Sequence, residues 1–208
     1  MTWALENPDA LRDALLQHIA LVAVALLISL AIALPLGIWS ARRPRIYAAV
    51  LLVTGILYTI PALALFALLI PLVGLGSVPA VTAIVLYSLL ILTRNVVVGL
   101  QNVPRDVLEA ADGMGYGPWR RLFAIELPLA APVIIAGIRL GLVTQISVAT
   151  VGAFIGAGGL GELIFQGITQ DIGDKVVVGA VLASALAISA DESLRRLERR
   201  LARSRGLA

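Results

Sequence analysis

An all-α, polytopic membrane protein with about five transmembrane helices is the fold class the sequence predicts, each crossing of the hydrocarbon core taking about 20 apolar residues. Three observations predict it. Of 208 residues 60% are hydrophobic and 14% charged, with a mean hydropathy of +0.97, whereas soluble domains carry about 25% charged residues. Residues 14–41 and 46–77 contain no Asp, Glu, Lys or Arg. The arginines, finally, are sorted by loop rather than gathered in a patch, so a pI near 9.8 does not point to nucleic acid.

The opening MTWALENPDALRD is acidic and lacks the basic n-region of a cleaved signal peptide, so it is expected to stay in the mature chain. Crossings are expected at 17–39, 47–70, 78–92, 132–155 and 173–190. Pro35 and Pro61 fall inside the first two and are expected to kink or loosen them. The fourth carries Arg139, the one charge well inside a span. An intramembrane ion is a functional candidate, but two turns from the cytoplasmic helix end it is expected to snorkel or to brace the preceding loop. Arg42, Arg43, Arg45, Arg94, Arg105, Arg120, Arg121 and the tail arginines then share one side. Arg12 and Lys175 lie opposite, among Glu6, Asp9, Asp13, Glu162, Asp171 and Asp174. The positive-inside rule makes the arginine side cytoplasmic, with the N-terminus outside and the C-terminus inside. The chain reads as one domain, 1–208, with a cytoplasmic loop at 104–128 and a cytoplasmic tail at 191–208.

The loop is built rather than loose. DVLEAAD, 106–112, predicts a short helix after Pro104. Gly113, Gly115 and Gly117 stop it, and Pro118 suits the first position of a second helix. Trp119, Leu122 and Phe123 are expected on one face of that helix, with Arg120 and Arg121 beside them. Geometry allows two readings: a docking knob for a soluble partner, or an amphipathic hairpin on the headgroups.

Glu109-Ala110-Ala111, Gly115, Ile125 and Leu127-Pro128 match the "EAA" signature of ABC importer permeases at each fixed position. Three further segments resemble the osmoprotectant branch of that family, which passes glycine betaine, choline or carnitine: HIALVAVALLISLAIALPLGI from His18, LPLAAPVIIAGIR up to Arg139, and IGAGGLGELIFQGI from Ile155. A fourth, YTIPALALFALLIPLVGLGSVPA from Tyr58, resembles it too, with Tyr58-Thr59-Ile60-Pro61-Ala62 where relatives often have Gln-Thr-Ile-Pro-Ser; Leu92-Thr93 stands where they have a proline before Arg94-Asn95. The resemblance spans 18–191. It implies a methionine-importer-like, type I permease fold in a bacterial inner membrane. It also implies that the elbow is a coupling helix, with Glu109, Ala110, Ala111, Gly115, Trp119, Leu122 and Phe123 facing an ATP-binding subunit present in two copies. A second permease subunit, identical or paralogous, and an extracellular substrate-binding protein are implied partners. An importer of another small solute such as an amino acid, or a secondary transporter, is the alternative.

GAGGLG, 156–161, satisfies G-x-G-x-x-G, but a membrane span precedes it and the βαβ context is missing. Gly156, Gly158, Gly159 and Gly161 with Glu162 are better read as an outer gating loop than as a plain flexible one. Tyr58, Thr59 and Tyr87, with Pro61, are candidates for lining the path, ordinary interhelical hydrogen bonding being the competing reading. His18 is expected at the outer interface, and a lone histidine makes a poor metal site. The tail stripe of Leu194, Leu197 and Leu201 reads as an amphipathic helix on anionic lipid, or one packed on the ATPase.

The sequence has no G-x-x-x-x-G-K-[ST] and a single lysine, Lys175, on the outer side. ATP and Mg are therefore expected on the partner ATPase, with no cofactor in this chain. Aromatics at 5% are too scattered for a quaternary-amine cage, which places ligand selection on the binding protein. Zero cysteines and spans without paired acids leave an enzyme few candidate residues. A secondary transporter would be expected to carry a midplane carboxylate, and no predicted span has one.

Overall fold

The structure is a computed structural model, and residues 2–203 are described. The order is α1 (Thr2–Glu6), α2 (Pro8–Ala41), α3 (Pro44–Thr59), α4 (Ala62–Val73), α5 (Ser77–Gln101), α6 (Arg105–Gly113) and α7 (Pro118–Arg121). A π-helical turn, Leu122–Glu126, leads into α8 (Leu127–Val151), a 3₁₀ turn, Gly152–Ile155, then α9 (Leu160–Thr169) and α10 (Gly173–Arg203). Among the described residues, four helical segments are long and apolar enough to cross a membrane, or five if α3 and α4 count as one broken span.

That break corrects the continuous crossing expected at 47–70. α3 and α4 meet at 99°. Pro61 has no N–H and forces the preceding Ile60 into extended backbone, ψ 126°. The Ile60 carbonyl freed by the break accepts a hydrogen bond from the Tyr87 hydroxyl on α5. A proline read as a kink is thus a corner with its own polar partner.

α5 is the hub, packed against α2, α8, α3 and α4. It runs nine residues past the Leu92 end expected for it, to Gln101, because Arg94 points to the exposed side while Leu92, Val96 and Val97 stay buried. Lipid tails are as apolar as leucine, so helices here associate through close contact rather than water exclusion. Gly137 on α8 provides it: a Cβ there would lie 2.3 Å from the Asn95 Cβ. A buried polar trio adds direction. Gln145 Nε2 donates to Ser29 Oγ at 3.1 Å and to Ser88 Oγ at 2.8 Å, pinning α8 to α2 and α5 in the core.

Three more expectations are corrected. α10 is continuous to Arg203, so residues 191–203 of the tail extend the last span rather than forming a separate surface helix; 204–208 lie outside the described residues. Arg139 explains the continuity: its guanidinium meets Asp191 at 2.9 Å and Glu198 at 2.5 Å, tying the tail along α8. Its partners are on the tail rather than on the elbow. His18 is fully buried instead of interfacial, because the glycine turn 156–161 folds over it, a Cβ on Gly159 coming within 3.0 Å of its Nδ1.

Candidate functional site

The elbow between α5 and α8 is a helix, a tight turn and a second helix. Ala111 ends up at 0% exposure and anchors α6, while Glu109, Ala110 and Gly115 face out. The turn closes as a Schellman motif: Tyr116 N donates to Ala111 O at 3.1 Å and Gly115 N to Asp112 O at 3.0 Å. Gly115 sits at φ +78°, a conformation that strains any L side chain. Its place in the spaced signature is therefore a backbone requirement.

One buried carboxylate holds the elbow to the bundle. Glu126, 6% exposed, receives Arg42 from the end of α2 at 3.1 Å and Arg121 from α7 at 3.0 Å. Arg121 also reaches Asp112 at 2.5 Å. The chain Arg42, Glu126, Arg121, Asp112 links α2 to α6 without a gap. The sequence reading did not single out Glu126. Its signal was an acid set in an apolar stretch, five residues after Arg121 and just before Leu127-Pro128.

The expected aromatic face is only partly present. Trp119 and Phe123 stack, ring centres 6.3 Å apart and planes at 17°, and both are exposed. Leu122 is 2% exposed and packs inward with Val96, Leu100, Ala130 and Ile134. The π turn begins at Leu122 and carries it to the inner side. The aromatic pair lines a groove of about 820 Å³ together with Pro35, Ile38 and Trp39 of α2.

At the other end of the bundle, Gly156, Gly158 and Gly159 all have φ near +76°. The turn they form is seated, not loose. Gly159 N donates to Gln17 Oε1 at 3.0 Å, Gln17 Nε2 donates to Ala157 O at 3.4 Å, and Gly76 N donates to Ile155 O at 2.7 Å. Gly161 packs against the Thr150 carbonyl, 2.0 Å from where its Cβ would be. Glu162 accepts from Gln166 at 2.9 Å, and Gln166 in turn accepts from Lys175 at 2.6 Å, whose ammonium lies 5.0 Å from the Trp3 ring centre.

Among the candidate path residues, Tyr58 and Thr59 are exposed at the end of α3, beside the Pro61 corner. Tyr87 is buried, edge-on to Tyr58 at 5.7 Å, and its hydroxyl serves Ile60. The corner after α3, with Tyr58, Thr59 and Pro61, is thus met by one distant residue, Tyr87 on α5, away from both the elbow and the glycine turn. Among the described residues no cluster of His, Cys, Asp or Glu could hold a metal.

This architecture is shared with solved structures. A chain of the MetNI methionine ABC transporter in inward-facing conformations superposes with TM-score 0.81 at 23% identity, covering 92% of this chain and 95% of that one. A second form gives 0.76 at 22%. The fold is the MetI-like fold of an ABC transporter's membrane permease. The chain belongs to the binding-protein-dependent transport system inner membrane component family, whose model matches residues 33–203. Its relatives are transport permeases rather than enzymes. Osmoprotectant import permease protein OsmW of Salmonella typhimurium is 41% identical, with 94% of each chain covered. Carnitine transport permease protein OpuCB of Listeria monocytogenes is 37% identical over 97% of this chain and 92% of its own. Choline transport system permease protein OpuBB of Bacillus subtilis is 39% identical over 89% of this chain and 85% of its own.

Proposed function

We propose that this chain is the permease subunit of an ATP-driven importer for osmoprotectants of the quaternary-amine class, such as glycine betaine, choline and carnitine. The near full-length identity of 37–41% to permeases named for carnitine, choline and osmoprotectants carries the reading. The arginine-rich end, with α6, faces the cytoplasm, and the N-terminus and the glycine turn face outside. Glu109, Ala110 and Gly115 form the seat for an ATP-binding subunit, present in two copies, with Ala111 and Leu122 supporting it from within and Trp119 and Phe123 flanking it. ATP and Mg belong to that subunit. A second permease subunit completes the path, and a binding protein delivers the ligand to the outer face. The corner at Tyr58, Thr59, Pro61 and Tyr87 bends toward the path, and the turn from Gly156 to Glu162 gates it.

Coupling in this arrangement is mechanical. Motion of the ATPase enters through α6, and the ion chain from Asp112 to Arg42 passes it to α2, with the buried Glu126 carboxylate as its central link. The test is uptake by proteoliposomes containing the assembled transporter and its binding protein. Labelled betaine, choline or carnitine should accumulate on ATP addition, and methionine should not. Accumulation of methionine alone would move the reading to an amino-acid importer.

A further inference from the structure

The groove beside the elbow has walls on α2 and α8 that the transport reading does not use. Its walls are apolar from Leu34 and Pro35 on α2 to Ile135 on α8, and it ends at Arg42, Arg43, Pro118 and Trp119. A second apolar groove of about 550 Å³ runs along the other side of Trp39 and ends at Arg45. Trp39 is the ridge between them, half-exposed, with the Arg43 guanidinium 5.9 Å from its ring centre. Arg42 is committed to Glu126. Among the described residues, neither Arg43 nor Arg45 has a carboxylate partner.

We propose that the groove between α2 and the elbow binds one anionic phospholipid, its phosphate at Arg43 and its acyl chain along Ile38, Trp39, Phe123 and Ile135. A soluble subunit cannot fill it: Leu34 lies eight residues up α2 from Arg42, about 12 Å into the apolar zone at 1.5 Å per residue. A lipid matches both ends, since an apolar slot closed by cations at the headgroup level is the chemistry that selects anionic lipid. Trp39 at that level is the usual anchor of a membrane interface. The lipid's chain would pack directly on the stacked Trp119 and Phe123, so its occupancy would set how firmly the elbow rests on α2.

The test uses the assembled transporter, purified in mild detergent, exposed to phosphatidylglycerol or phosphatidylcholine, and weighed by native mass spectrometry. Wild type should retain one phosphatidylglycerol per permease in preference to phosphatidylcholine. Arg43→Gln should weaken that retention about fivefold, the worth of one basic residue at a membrane surface, and Arg43→Lys should restore it. Ala131→Trp, which fills the groove, should abolish it. Should that variant not assemble, a photoreactive side chain at position 131 should add the mass of a phospholipid. Equal retention of the two lipids, or a photo-adduct with another subunit, would overturn the proposal; neither outcome bears on whether the transporter moves osmoprotectants.

Discussion

Replacing Glu126 by Ala removes the one carboxylate that α2 and α7 share. Glu126 is 6% exposed and its two arginine contacts are 3.0 and 3.1 Å long. Breaking a fully buried pair costs about 3–5 kcal/mol because the abandoned charge has nothing to meet. Here the loss is smaller: Arg121 keeps Asp112 at 2.5 Å, and the Arg42 side chain is 43% exposed and regains water. A figure of about 2 kcal/mol, that of hydrogen bonds between charged groups, is the reasonable expectation. That is about a 30-fold shift between an elbow locked on α2 and one released from it. Glu126→Gln keeps an acceptor and should lose about half as much. The assay is the number of ATP molecules hydrolysed per solute imported in proteoliposomes, with the melting temperature of the complex measured alongside. Glu126→Ala should hydrolyse ATP with little import and melt earlier. If it kept the wild-type ratio and melting temperature, the ion chain would not be the mechanical link.

Three other outcomes are expected. Gly115→Leu forces a side chain into φ +78° and should destabilise the turn by about 1–2 kcal/mol, with import lost while membrane insertion of the subunit, read by blotting, is kept. Gly161→Ala places a Cβ 2.0 Å from the Thr150 carbonyl; α9 must shift off α8, and yield of folded subunit by gel filtration should fall well below that of Gly113→Ala, where a Cβ meets nothing within 4 Å. Arg139→Gln cuts both ties to the tail. Limited trypsin digestion should then cleave at Arg195 and Arg196 several-fold faster than in wild type, and Asp191→Asn should show part of that effect.

Length and patterning made most of this fold legible. Runs poor in charge located the long apolar helices, though not the break between α3 and α4, and the glycines and Pro118 located the elbow, because backbone chemistry is written residue by residue. Contacts between distant segments were not. Pro61 announced a bend, but neither its 99° nor the Tyr87 hydroxyl that donates to the freed Ile60 carbonyl. Leu122 was assigned to the aromatic face on a regular helical count, and the π turn beginning there shifted the phase. Arg139 looked like an interfacial ion because Asp191 and Glu198, 52 and 59 residues on, belonged to what read as a separate tail. His18 and Gln145 had no local signal at all: one is covered by a turn 141 residues downstream, and the other finds its two serines on different helices.

The claim on which the rest depends is that α6 is where a separate ATPase pushes. Since the chain contains no cysteine, Ala110→Cys is a unique chemical handle on the exposed face of that helix. In inverted membrane vesicles holding the complete transporter, oxidation should join position 110 to a cysteine introduced in the ATPase's surface groove, and reduction should restore ATP-driven uptake. A residue 110 that reacts with an impermeant maleimide from outside intact cells, and never joins the ATPase, would contradict the account.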